Sequence, residues 1–130
     1  MGAIDDYPGQ TRTRSVVIVD DDTRVRIALR TLIDGSPGLT VVGEAATPAE
    51  ALEMVATADP DVVVLDMLLP QASDGLGLTR TLSSEGRVVV AISMLASLHQ
   101  EALAAGAKEF LEKGGDGMTK LHETLRSVGR

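Results

Sequence analysis

Five apolar runs alternate with five helical patterns along this chain, and this alternation limits the possible fold more than any other feature. The runs are rich in β-branched residues, which is typical of buried strands. They are VVIV at 16–19, LTVVGEA at 39–45, DVVVLDM at 61–67, RVVVAIS at 87–93 and EFLE at 109–112. Strict alternation of this kind indicates a parallel sheet that helices cover on both faces. The sequence therefore predicts an α/β fold with one doubly wound, five-stranded parallel sheet.

Capping residues and turn residues mark where the helices begin and end. Thr47, Pro48 and Glu50 have the spacing of a capping box with proline at the first helical position. Asp22 is suited to cap the helix that follows the first strand. The third helix is predicted over DGLGLTRTLSSE, the fourth over SLHQEALAAGA, and the fifth over the apolar positions from Met118 to Val128. We expect residues 1–14 to be a flexible tail and residues 15–130 to be one domain.

Charge and composition exclude several classes of protein. The net charge of −7 does not give the basic surface that a nucleic-acid-binding domain needs. Tyr7 and Phe110 are the only aromatic residues, so bases have no stacking platform, and the absence of cysteine excludes disulfides and thiolate metal sites. No apolar run approaches the roughly 20 residues of a membrane helix, and the first residues do not resemble a signal peptide. We expect a cytoplasmic domain that binds neither nucleic acid nor membrane.

Polar side chains follow four of the predicted strands. Asp20 and Asp21 end the first strand, Asp66 ends the third, Ser93 ends the fourth, and Lys113 follows the fifth. In a parallel sheet these positions share one edge, where ligands bind near the point at which strand order reverses. If the order reverses between the first and third strands, the three aspartates converge, and Ser93 and Lys113 approach from the other side.

This set of side chains indicates phosphoryl transfer assisted by a divalent cation. Carboxylates, a backbone carbonyl and waters form the oxygen site that Mg²⁺ prefers, and the cation removes the repulsion between neighbouring carboxylates. A carboxylate held beside Mg²⁺ can attack phosphorus and form an acyl phosphate. A lysine ammonium and a hydroxyl group can then stabilise the phosphoryl oxygens.

Four segments resemble the signature segments of response-regulator receiver domains, in the same order. They are VVIVDDDTRVRIALRTLI, DVVVLDMLLP, VVVAIS and GAKEFLEK, and the segment TVVGEAATPAEAL is similar to receivers of the LuxR-type branch. The resemblance covers about residues 15–128. It implies the flavodoxin-like strand order 2-1-3-4-5 and a phosphorylation-activated role in bacterial two-component signalling and transcription regulation.

The resemblance also implies a role for each matching residue. Asp66 corresponds to the phosphoacceptor. Asp20, Asp21, Asp66 and the backbone carbonyl of Leu68 correspond to the ligands of Mg²⁺, for which Mn²⁺ can substitute.

The remaining matches concern how the phosphoryl group is sensed. Ser93 and Lys113 correspond to the groups that engage the phosphoryl oxygens. Phe110 matches the aromatic residue that turns inward on activation, although a single phenylalanine at a strand start is equally consistent with an ordinary core residue.

The implied partner is a sensor histidine kinase, and the implied output is a change in the surface formed by the fourth helix, fifth strand and fifth helix. Dimerisation on phosphorylation and a DNA-binding domain C-terminal to this chain are both consistent with the family. Under this interpretation the chain is not an enzyme, beyond catalysing its own phosphorylation and dephosphorylation.

Two other functions remain open from the sequence. VDDDTRV superficially resembles the motif of haloacid-dehalogenase-like phosphatases, in which Asp20 would carry the phosphoryl group. A degenerate receiver that works without phosphate is the second alternative, because the loop from Asp66 to Gly75 is one residue longer than the usual family spacing. Dinucleotide binding lacks support, since no Gly-x-Gly-x-x-Gly follows a strand.

Overall fold

The computed structural model describes residues 13–128 as a five-stranded parallel sheet with strand order β2-β1-β3-β4-β5. The predicted α/β fold and strand order are confirmed. The strands are β1 Arg14–Val19, β2 Leu39–Ala45, β3 Val62–Asp66, β4 Val89–Ser93 and β5 Glu109–Glu112. The helices are α1 Thr23–Asp34, α2 Pro48–Ala58, α3 Ala72–Ser84, α4 His99–Ala104 and α5 Leu121–Ser127.

Two apolar layers lie on opposite faces of the sheet, because successive side chains of a strand point to opposite sides. Val16 and Ile18 belong to the layer that includes Leu29 of α1 and Leu125 of α5. Val17, Val19, Val63 and Leu65 belong to the other layer, which includes residues of α2, α3 and α4. Every residue of β3 and β4 is buried, as the apolar runs of the sequence predict.

The predicted N-caps of α1 and α2 are present. Asp22 accepts a hydrogen bond from the backbone N–H of Arg24 at 2.8 Å. Thr47 accepts one from the N–H of Glu50 at 3.1 Å, and the Glu50 carboxylate accepts from the N–H of Ala46 rather than from that of Thr47. Both caps satisfy N–H groups that the helix itself leaves without partners.

Three helices differ from their predicted bounds. α3 begins at Ala72, two residues before the predicted start, and Asp74 accepts a hydrogen bond from the N–H of Gln71, the N-cap. α4 and α5 are shorter than predicted because 3₁₀ segments, Ala96–Leu98 and Gly115–Lys120, precede them. Gly117 lies so close to β5 that a Cβ would be 1.9 Å from the Glu112 carbonyl oxygen, so this segment packs tightly against the strand.

The start of the described chain overlaps the segment that the sequence predicts as a tail. β1 begins at Arg14, one residue inside the segment predicted as a tail, and Arg14 Nη2 donates to the Val128 carbonyl at 2.5 Å. Residues 1–12 of that segment lie outside the described residues. Within residues 13–128, no helix is both long and apolar enough to cross a membrane.

The edges of the sheet are β2 and β5. β2 contains an irregularity in register opposite Val16 and Val17, where Val42 has no partner and is exposed. β5 has only four residues, and glutamates at both of its ends, Glu109 and Glu112, are exposed.

Candidate functional site

Three aspartates from two neighbouring strands lie together at the carboxyl edge of the sheet. Asp20 and Asp21 follow β1, and Asp66 is the last residue of β3, which pairs with β1 in parallel register. One carboxylate oxygen from each of the three lies within 4.8 Å of the others. Strand order therefore brings together the aspartates that the sequence separates by 45 positions or more, as the predicted convergence requires.

Asp20 is completely buried and held from several directions. Its backbone N–H donates to the Ala45 carbonyl of β2 at 3.1 Å. Its Oδ1 accepts from the N–H of Asp22 at 3.0 Å, and its backbone carbonyl accepts from Arg26 Nη1 at 2.6 Å. Asp21, the next residue in the chain, is exposed. One carboxylate is thus anchored in the interior while its neighbour faces the open side of the site.

Lys113 bridges the two strands of the acidic cluster. Its Nζ donates to Asp20 Oδ2 at 2.7 Å and to Asp66 Oδ2 at 3.2 Å, and its side chain is 15 % exposed. The backbone N–H of Lys113 donates to the Ser93 carbonyl at 2.9 Å, so the end of β4 helps to position the lysine. The ammonium supplies a positive charge at the point where the buried carboxylates would otherwise repel each other.

Burial raises the pKa of Asp66 above its usual value, because the charged form loses hydration. The hydrogen bond that Asp66 Oδ1 accepts from the N–H of Leu68 at 3.1 Å and the charge of Lys113 oppose this shift, whereas Asp20 adds to it. For Lys113, burial alone would lower the pKa, but the hydrogen bond to Asp20 and the charges of Asp66 and Asp20 raise it overall.

Ser93 and Phe110 lie on the neighbouring strands, beyond the acidic cluster. Ser93 is fully buried, and its Oγ accepts from the N–H of Leu95 at 3.0 Å. Phe110 is nearly buried, and His99 of α4 stacks on its ring with the centroids 5.0 Å apart and the planes 19° apart. His99 is exposed, but one face of its ring covers the aromatic residue.

The segment that follows Asp66 packs against the first turn of α3. Met67 and Leu69 are buried and Leu68 is half-buried. A Cβ on Gly75 would lie 2.0 Å from the Met67 carbonyl oxygen, so only glycine permits this approach. α3 therefore sets the path of the chain through Leu68, whose carbonyl remains a predicted metal ligand.

The donor set fits a hard divalent cation. Three carboxylates from Asp20, Asp21 and Asp66 offer the oxygen ligands that Mg²⁺ and Mn²⁺ accept, and within residues 13–128 they form the one group of three acidic or imidazole side chains close enough to bind an ion. Sequence reasoning missed two neighbours of this site, Arg26 and His99. The arginine had a detectable signal, because it lies one helical turn after the predicted N-cap.

A parallel sheet of order 2-1-3-4-5, with three carboxylates and a lysine at its carboxyl edge, defines a class of α/β proteins able to place a divalent cation beside an aspartate. Residues 16–126 match the family described as the response regulator receiver domain. The chain belongs to this family, and the predicted resemblance to receivers is confirmed.

The curated relatives match this chain over only part of their own length. The chain is 43 % identical over 132 residues to protein-glutamate methylesterase/protein-glutamine glutaminase 5 of Myxococcus xanthus, covering 88 % of this chain and 38 % of the relative. It is 31 % identical over 105 residues to the nitrate/nitrite response regulator protein NarL of Escherichia coli, covering 79 % of this chain and 45 % of the relative. The chain thus spans less than half the length of these relatives.

Solved structures agree with this assignment. The response regulator domain of Thermotoga maritima CheB has a TM-score of 0.78 at 28 % identity, covering 92 % of this chain and all of that one. A LuxR-family response regulator from Aurantimonas has a TM-score of 0.77 at 30 % identity, covering 87 % and 85 %. The CheX–CheY–BeF3–Mg²⁺ complex from Borrelia burgdorferi has a TM-score of 0.75 at 26 % identity, covering 89 % and 90 %.

Proposed function

We propose that this chain is a phosphorylation-controlled switch in which Asp66 accepts a phosphoryl group from a histidine kinase in a step that requires Mg²⁺. The observation that carries the proposal is the meeting of Asp20, Asp21 and Asp66 around one point, with the Lys113 ammonium between two of them. A solved structural neighbour that contains BeF3 and Mg²⁺ supports the same chemistry.

In the proposed transfer, an Asp66 carboxylate oxygen forms a bond to phosphorus while the phosphorus–nitrogen bond of a phosphohistidine breaks. The product is an acyl phosphate on Asp66 and a histidine that takes up a proton. Asp20, Asp21, Asp66 and the Leu68 carbonyl would hold Mg²⁺, which supplies charge stabilisation to the transferring phosphoryl oxygens. Lys113, already within hydrogen-bond distance of Asp66, would move its ammonium to the new phosphoryl oxygens.

Sensing of the phosphoryl group would begin at Ser93. Its hydroxyl lies at the end of β4, beside the strand that ends in Asp66, and it holds the backbone at Leu95. A dianionic phosphoryl group would attract the hydroxyl, and the β4–α4 connection would follow it. Phe110 would then turn toward the vacated space and change the surface formed by α4, β5 and α5. A partner that prefers one of the two surfaces would shift the equilibrium between them.

The test is phosphorylation by acetyl phosphate and Mg²⁺, followed by intact mass measurement and peptide mapping. The wild type should gain the mass of one phosphoryl group, located on Asp66, and EDTA should prevent the gain. Asp66→Asn should remain unmodified, whereas the control Asp116→Asn, in the 3₁₀ segment after β5, should be modified like the wild type. An adduct on Asp20 would instead support the phosphatase alternative, and no adduct would support the degenerate receiver.

The output of the switch is proposed from the names of the relatives of this chain. Among the relatives, some are named methylesterases and others nitrate/nitrite response regulators, so an enzymatic or a DNA-binding segment are both consistent with this receiver. We favour the transcriptional output, a cytoplasmic location and dimerisation on phosphorylation, because of the resemblance to LuxR-type receivers. Sedimentation-velocity ultracentrifugation of the chain with and without BeF3 would test the dimer directly.

A further inference from the structure

Arg26 donates three side-chain hydrogen bonds near the acidic cluster, which sets it apart from an ordinary surface arginine. It lies on α1, one turn after the N-cap Asp22. Its Nη1 donates to the Asp20 carbonyl at 2.6 Å, its Nε to Glu44 Oε1 at 3.1 Å, and its Nη2 to Thr23 Oγ1 at 3.2 Å. The side chain is largely buried, and Glu44 of β2 fixes it from the far side.

The contact with the Asp20 carbonyl controls the orientation of one peptide group. The carbonyl of Asp20 and the N–H of Asp21 belong to the same plane, because the peptide bond is rigid. The N–H of Asp20 is already bound to Ala45. The bond from Arg26 therefore fixes the second side of Asp20 and, through the shared peptide plane, the direction in which the exposed Asp21 leaves the backbone.

We propose that Arg26 is a positioning residue that preorganises Asp20 and Asp21 for the divalent cation. The proposal rests on the function proposed above, since it concerns the metal site of that switch. Arg26 does not touch the metal; it acts through the Asp20–Asp21 peptide group and is itself held by Glu44. Partners that orient metal ligands in this way affect affinity strongly.

Charge and positioning predict opposite results when Arg26 is replaced. Removing a positive charge close to a cation site should tighten metal binding if charge alone matters. Removing the hydrogen bond from Arg26 to the Asp20 carbonyl should weaken metal binding if orientation matters. Arg26→Gln separates these two effects, and Arg26→Lys retains the charge but not the planar fork that reaches three acceptors.

Arg30 provides a matched control on the same helix. It also pairs with Glu44, through Oε2, and with Asp34 at 3.7 Å, but no hydrogen bond connects it to the Asp20 carbonyl. Arg30→Gln therefore removes the same charge and disturbs the same glutamate without releasing the peptide group.

The experiment measures Mn²⁺ binding by the loss of the free-ion EPR signal, and the apparent Mg²⁺ constant for phosphorylation by acetyl phosphate. For Arg26→Gln we expect the Mn²⁺ dissociation constant to rise roughly 10-fold. The apparent Mg²⁺ constant should rise in parallel, while the rate at saturating Mg²⁺ stays near that of the wild type. The Mn²⁺ dissociation constant of Arg26→Lys should lie between those of the wild type and Arg26→Gln. Arg30→Gln should change this dissociation constant by less than about twofold.

Unchanged or tighter Mn²⁺ binding by Arg26→Gln would overturn the proposal, as would an equal loss in Arg30→Gln. Thermal unfolding in EDTA checks that each variant is folded; if Arg26→Gln lacks a cooperative transition, Arg26→Lys alone decides the outcome. A wild type that binds no Mn²⁺ and gains no phosphoryl group would remove the proposed function itself. If the wild type binds Mn²⁺ and gains a phosphoryl group, and the variants behave in the same way, only the proposed role of Arg26 would be wrong.

Discussion

The carboxyl edge of the sheet contains two regions with different constraints. At the ends of β1 and β3, charged groups are buried and held by several directed bonds: Asp20 by Ala45, Asp22, Arg26 and Lys113. At the end of β4, Ser93 makes one side-chain hydrogen bond, and near the start of β5 an exposed histidine covers Phe110. Met94 and Leu95, which follow Ser93 in the chain, are 66 % and 46 % exposed.

This difference is consistent with the roles that the two regions would have in the proposed switch. Ligands for a cation need fixed geometry, and buried charges without partners are costly, which is consistent with the several directed bonds of the first region. In the proposed switch the second region would change shape for little free energy, and the small side chains of Ala102 in α4 and of Ala105 directly after it give this region few interactions to break. Substitutions in the first region should therefore have larger effects on stability.

The largest effect is expected for Lys113→Met in metal-free buffer. This change leaves the buried carboxylates of Asp20 and Asp66 without a counter-charge, and the free energy of unfolding should fall by about 3–5 kcal/mol. Urea denaturation measures the loss, and Mg²⁺ should restore part of it. Lys120→Met, at an exposed lysine, is the control. A loss similar to that of the control would mean that the charged region is not the more constrained one.

A smaller loss is expected for Gly75→Ala, which tests the packing behind Asp66. The new Cβ would lie 2.0 Å from the Met67 carbonyl oxygen, and the backbone shift should cost about 1–3 kcal/mol. Gly77→Ala on the same helix has open space around it and should be neutral or stabilising. Thermal unfolding compares the two variants, and equal behaviour would refute the tight contact. Slower phosphorylation of Gly75→Ala would show that this packing positions Asp66.

Asp66→Asn should change stability in the opposite direction and by a smaller amount. Because burial raises the pKa of Asp66, ionisation of this carboxyl group destabilises the folded state at neutral pH. The asparagine variant should therefore unfold at higher urea concentration than the wild type at pH 7 in EDTA. The advantage should disappear below the usual aspartate pKa of about 3.9, where the carboxyl group is protonated in both states. A wild type more stable than the variant at pH 7 would contradict this prediction.

The smallest effect is expected for His99→Ala, in the less constrained region. Loss of the stacking contact with Phe110 should cost about 0.5 kcal/mol, close to the effect of the control Gln100→Ala on the same helix. The Phe110 ring resonances should broaden or shift in NMR spectra of the variant but not of the control. A loss comparable to that of Lys113→Met would remove the contrast between the regions.

The sequence predicted the parts of this molecule that depend on local patterns. Apolar runs such as 62–65 indicate burial on both faces, so the parallel sheet followed from alternation and the general rules of such sheets. The strand order was implied by the resemblance to receivers, and the meeting of Asp20 with Asp66 was conditional on that order. Thr47 and Asp22 cap helices through contacts two or three residues away, which sequence spacing shows directly. LuxR-type likeness was likewise visible, but the likeness to methylesterase receivers was not anticipated.

The remaining features depend on contacts between distant segments. Arg26 reaches Glu44, 18 residues away, and only the packing of α1 beside β2 brings them together. The stack of His99 on Phe110 requires α4 to lie over β5, and the 3₁₀ segment at Gly115–Lys120 packs against β5 through the close approach of Gly117 to Glu112. Neither periodicity nor capping residues encode such distances.

The short outer strand β5 has a consequence for how the molecule behaves at high concentration. A strand at a sheet edge can pair with a strand of another molecule, and long, uncharged edges promote aggregation in this way. β5 offers four residues, and Glu109 and Glu112 would place like charges opposite each other in a self-paired arrangement. The β5 edge therefore discourages continued backbone pairing, so that contacts between copies at this edge have to form through side chains.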